Sequence, residues 1–102
     1  MRNTMYASIR RYKVNPGAAQ EIWRKVNEGF IPIISQAPGF IAYYALDAGN
    51  DLLASVSIFQ DQASAEESNR LAAEWVKENL AKLISSPPEI TAGEVFAVHK
   101  TT

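Results

Sequence analysis

The chain has 102 residues, 47% hydrophobic and 21% charged, and ten Lys and Arg against eleven Asp and Glu leave a formal net charge of -1. This composition suits one globular domain spanning 1–102, with too little chain for two domains and too much apolar content for disorder. The charge balance argues against a dedicated nucleic-acid or anionic-membrane binder, and zero cysteines exclude a disulfide framework, a zinc ribbon and a Cys nucleophile. No apolar run nears the roughly 18 residues that span a bilayer, and the start MRNTMYASIRRY has no signal-peptide core, so a cytoplasmic protein is expected.

Pro and Gly divide the chain into six segments. Met5 to Val14 is rich in Tyr, Ile and Val and predicts a strand. Gly17 to Gln36 then sets Ile22, Val26, Phe30, Ile33 and Ile34 at steps of three and four, the period of a helix. Asn15 is placed to cap that helix, with Pro16 at its first position. Pro32 falls inside the pattern, where it removes a hydrogen bond and crowds the carbonyl four residues back, so a loosened turn is expected near Gly29 to Pro32.

Phe40 to Asp47 and Leu52 to Gln60 are β-branched and aromatic around the turn cluster Ala48-Gly49-Asn50-Asp51, and predict an antiparallel hairpin. Ala63 to Leu83 carries Ala65, Ala72, Val76, Leu80 and Leu83 on one stripe with charges largely opposite, and Asp61 or Ser64 can cap it. Ile90 to His99 is the last strand. The order strand, helix, strand, strand, helix, strand predicts an α+β, ferredoxin-like βαββαβ domain: a four-stranded antiparallel sheet with two helices on one face.

Helices on one face leave the other to be explained. A sheet face in water should be polar, yet Leu52, Ala54, Val56 and Ile58 alternate with Leu53, Ser55, Ser57 and Phe59, so both faces carry large apolar residues. A lone copy would expose more apolar surface than a monomer ordinarily shows, and a homodimer packed sheet to sheet is the expected remedy.

The runs PGFIAYYALDAG (Pro38 to Gly49), SVSIFQDQASAEES (Ser55 to Ser68) and AAEWVKENLAKL (Ala72 to Leu83) resemble the antibiotic biosynthesis monooxygenase (ABM) domains of the dimeric α/β-barrel superfamily. The helix-ending Pro-Gly-Phe, the aromatic late in the third strand and the acidic helix start carry the likeness. The resemblance implies the same βαββαβ dimer, with a pocket in each protomer between sheet and helices. It also implies a cofactor-independent monooxygenase acting on a small quinol- or polyphenol-type aromatic, with no metal. The haem-degrading branch of the superfamily uses an Asn on the first strand and a Trp and a His on the second helix. Here the position of that Asn is Arg10, the Trp is present as Trp75, and the second helix has no His. A non-catalytic binding or stress-related dimer is the alternative.

Arg10 and Asn69 are the candidate catalytic residues, as a fixed guanidinium and an inward amide able to steady a developing anion. The neighbouring parity Met5, Ala7, Ile9 is the more apolar and would ordinarily face the helices, which sends Arg10 to the opposite face; the alternative sends Arg10 into the pocket. Tyr12, Trp23, Phe30, Tyr44, Phe59 and Trp75 are the candidate substrate walls, with ordinary core packing as the plainer alternative for each. Tyr43 and Tyr44 are strand neighbours and must point to opposite faces. Asn79 shares the inward edge of the second helix with Asn69. His99, the only histidine, supports neither a metal site nor a triad.

Overall fold

The structure is a computed structural model and describes residues 4–101. Strand β1 (Tyr6–Lys13) leads to a continuous helical segment made of α1 (Ala19–Lys25), a π-helical turn (Val26–Phe30) and α2 (Ile31–Ile34). The hairpin β2 (Phe40–Gly49) and β3 (Leu52–Phe59) follows, then α3 (Gln62–Asn79) and β4 (Glu89–Glu94). The antiparallel sheet has the order β2-β3-β1-β4 with the helices on one face, the ferredoxin-like arrangement.

Proline chemistry accounts for the loosened first helix. Pro32 has no N–H to donate, and the widened turn just before it moves its ring off the preceding carbonyl; Ile31 N–H bonds to Val26 O, five residues back. The hairpin closes through Asn50 and Asp51, both at positive φ (55° and 60°), residues that tolerate the left-handed region a two-residue hairpin turn demands. Gly39 is the strict requirement of the other connection. Its φ is +77°, and a Cβ there would lie 2.6 Å from Ser64 Oγ. Asp61 caps α3 by accepting from Ser64 N–H at 2.8 Å.

Three expectations need correction. Asn15 does not cap α1, whose N-cap is Ala18; its side chain donates to Lys82 O at 2.7 Å and accepts from Ser85 Oγ. That tie, with Asn15 N–H on Leu83 O and the Val14–Ile84 bridge, satisfies carbonyls beyond α3, so the helix ends at Asn79 and not at Leu83. The last strand stops at Glu94 instead of His99, because Glu94 already pairs with Tyr6, where β1 begins.

Register decides which side chains meet the helices. Ser8 faces Ser57, Arg10 faces Ser55 and Tyr12 faces Leu53 across the β1–β3 ladder, and this set is the one beneath α3. Ala7, Ile9, Val56 and Ile58 lie on the bare face. The more apolar parity of β1 therefore points away from the helices, against the ordinary rule. Two apolar clusters hold the helices down: Val14, Ala18, Ile22, Leu53 and Leu80 at one end, and Phe30, Ile34, Phe59, Ala65 and Ala72 at the other. Val26 and Trp75 pack against both.

Candidate functional site

Between those clusters the helices stand off the sheet and leave a cavity of about 310 Å³. Its floor is polar because the inward parity of β1 and β3 is polar: Ser8 and Arg10 are buried on β1, and Ser55 and Ser57 are buried on β3. Four side chains join into one network. Ser8 Oγ donates to Asn69 Oδ1 at 2.9 Å, Arg10 Nη1 donates to the same oxygen at 3.3 Å, and Arg10 Nε donates to Tyr12 Oη at 2.7 Å. A helix residue and three alternate strand residues, up to 61 positions apart in sequence, thereby lock one guanidinium in place.

The walls are aromatic. Phe30 stands edge-on to Tyr43 with ring centroids 5.6 Å apart, and Trp75 tilts against Phe30 at 5.4 Å. Gly29, in the π-helical turn, brings the helix backbone against Trp75: a Cβ at Gly29 would sit 3.1 Å from Cζ2 and 3.3 Å from Nε1 of the indole. Burial holds the Tyr43 hydroxyl above its ordinary value near 10.0, and Tyr12 adds to this, while Ser55 and Arg10 work the other way. At neutral pH Tyr43 thus presents an O–H that can donate or accept.

The candidates distribute unevenly around this cavity. Arg10, Tyr12, Phe30, Asn69 and Trp75 line it together, and Trp23, 46% exposed, stands at its mouth. Tyr44 does not: it is 64% exposed on the bare face, and its neighbour Tyr43 takes the inward place. Phe59 is also outside the wall, fully buried below the helices with its ring edge-on to Phe40. Asn79 is exposed at the end of α3 and bonds back to Trp75 O. The buried Ser55, Ser57 and Ser68 belong to the wall and escape sequence reading, since a lone serine in a strand or helix gives no chemical signal. Among the described residues, no group of three or more His, Cys, Asp or Glu comes together as a metal cage, and no helix is long and apolar enough to cross a membrane.

An α+β ferredoxin-like domain with an aromatic cavity over a polar sheet floor is the class of protein defined so far. The family model of antibiotic biosynthesis monooxygenase (ABM) matches residues 5–73, and the chain belongs to that family. Solved structures agree on the fold. A protein of unknown function from Nitrosomonas europaea is 25% identical, with a TM-score of 0.79 over 97% of this chain and 96% of that one. A conserved protein from Methanosarcina mazei Go1 is 16% identical, with a TM-score of 0.73 over 88% of this chain and 91% of the other. A monooxygenase from Streptomyces coelicolor, solved with nanaomycin D, is 14% identical, with a TM-score of 0.72 over 97% of this chain and 94% of its own. A search of the curated proteins finds no match.

Proposed function

We propose that this protein is a cofactor-independent monooxygenase that oxidises a small, planar quinol- or polyphenol-type aromatic inside the cavity of each protomer. The observation that carries the reading is the cavity itself, with ring walls from Phe30, Tyr43 and Trp75 above a buried guanidinium and hydroxyl floor. Family membership and the monooxygenase neighbour solved with nanaomycin D supply the reaction class. In that reaction a hydroxyarene loses its phenolic proton, its ring carbon forms a bond to dioxygen, and O–O cleavage releases water and leaves a quinone. Electrons come from the ring, so hydroxyarene plus dioxygen balances quinone plus water. Such chemistry needs a water-poor site and a fixed positive group facing the developing phenolate. Arg10 fills the second role, with Asn69 and Tyr12 as the groups that position it.

The bare face of the sheet supports a homodimer packed sheet to sheet. Ile9, Tyr44 and Leu46 are exposed there beside the half-buried Val56 and Ile58, a continuous apolar surface that a soluble monomer does not ordinarily leave in water.

Oxygen-electrode measurements with a panel of polycyclic phenols and hydroquinones test the reaction. Protein-dependent uptake of one dioxygen per molecule oxidised is expected, falling on the order of a hundredfold in Arg10→Ala, the scale for loss of one anion-stabilising group. Tight binding of the same compounds without oxygen uptake would assign the cavity to a non-catalytic binding protein instead.

A further inference from the structure

Arg10 is 4% exposed, and the groups that hold it are all neutral: the Tyr12 hydroxyl, the Asn69 side-chain carbonyl and, at 3.5 Å, the Asn69 backbone carbonyl. Among the described residues no carboxylate lies within ion-pair distance of it. Among the described residues Asp47 is the one carboxylate in the cavity wall, and its Oδ1 is engaged by Gly49 N–H at the hairpin turn. The buried serines that line the cavity, Ser55 and Ser57 on the floor and Ser68 on α3, are dipoles without charge. A guanidinium keeps its charge, and a buried charge facing only neutral acceptors is costly unless an opposite charge joins it. The deficit has an address. Among the described residues Nη2 makes no hydrogen bond, and none of their side-chain nitrogens or oxygens is sealed from solvent without a partner. Its two N–H donors are therefore open to the cavity that Arg10 lines.

We infer that the cavity is built for an aromatic acid, a planar ring bearing a carboxylate that seats on Nη2 of Arg10 while the ring lies between Trp75, Phe30 and Tyr43. The inference rests on the reading that this cavity takes a planar aromatic, and adds that the molecule is already an anion on arrival. A phenol alone enters neutral and leaves the buried cation uncompensated until reaction; a carboxylate compensates it from the first contact. The network behind Arg10 suits this use. Nε and Nη1 are tied to Tyr12 and Asn69, so the fork is held with its third nitrogen forward, and little side-chain freedom remains to be lost on binding.

Isothermal titration of the full-length protein with 2-naphthoate and with 2-naphthamide, a neutral molecule of nearly the same shape, separates charge from ring. Wild type is expected to bind naphthoate at least tenfold more tightly at pH 7. Arg10→Met is expected to bind both equally, near the wild-type affinity for naphthamide, and Arg10→Lys to keep part of the preference. Equal affinity of the two probes for wild type, or a preference that survives in Arg10→Met, overturns the inference while the aromatic cavity stands. Failure of wild type to bind either probe overturns the aromatic reading and this inference together. The wild-type comparison decides the matter alone if Arg10→Met does not fold.

Discussion

Beneath the helices, the two central strands carry Ser8, Arg10, Tyr12, Ser55 and Ser57; on the side with nothing over it, they carry Ala7, Ile9, Ala54, Val56 and Ile58. Along the middle of these strands the covered face is thus the more polar one, with Arg11 and Lys13 on the bare face only toward the hairpin end. In an ordinary two-layer domain the helices would claim the aliphatic parity and leave the serines to water. The inversion teaches that helix-to-sheet packing is not where most of this sheet's aliphatic surface finds its use. The helices are fastened at two ends, through Leu53 at one and Phe59 at the other, and the middle of the inner face is released to line a cavity. The aliphatic middle of the outer face is left uncovered.

The contrast can be broken at either face. A charge at the centre of the outer face is expected to have the largest effect. Val56→Lys places an ammonium between Ile9 and Tyr44, its cross-strand neighbours, on the sheet face opposite the cavity floor. Burying it in a sheet-to-sheet interface costs several kcal/mol, so association weakens at least about a hundredfold. Light scattering at micromolar concentration checks this; a wild-type protein that is already monomeric there removes the dimer.

On the inner face, Gly29→Ala adds a methyl that pushes the Trp75 indole, which lies between Gly29 and the cavity. Affinity for wide rings such as 1-hydroxypyrene is expected to fall about tenfold, roughly 1.4 kcal/mol, while phenol is little affected. Trp75→Phe lacks the two touching atoms, so the double variant is expected to regain the wide ring. Ligand titrations on the three variants measure it.

Arg10→Met makes the middle of the inner face resemble the outer. With the uncompensated buried charge gone, the ligand-free protein is expected to be more stable by about 1 kcal/mol, while charge preference is lost. Thermal melts of wild type and variant give the sign, and a lower melting temperature contradicts it. The smallest effect is set by Tyr43. Its folded-state hydroxyl ionises at higher pH than in the unfolded chain, so above about pH 10 the unfolded chain loses its proton first. Stability present below that range is therefore lost as pH rises through it, and Tyr43→Phe is expected to flatten the loss. Urea midpoints at pH 9 and pH 11 report the difference.

Segment order, helix period and turn residues made the βαββαβ fold legible, and so did the fault near Pro32, since each rests on local backbone chemistry. The end of α3 was not legible, because it depends on Asn15 reaching across to Lys82. Of the site, Arg10, Tyr12, Phe30, Asn69 and Trp75 could be singled out from residue type and period, but their meeting in one cavity could not. Tyr44 and Phe59 show the limit most plainly. Each has the right chemistry for a wall, and each lies elsewhere, one on the outer face and one sealed under the helices.

The sequence alone determined that two strand parities exist and that each carries apolar groups, since alternation along a strand is a property of the backbone. Which parity the helices cover was decided only in the folded molecule. Strand register and the Ser8–Asn69–Arg10 contacts choose the side, and those link residues some sixty positions apart, beyond what any local pattern encodes.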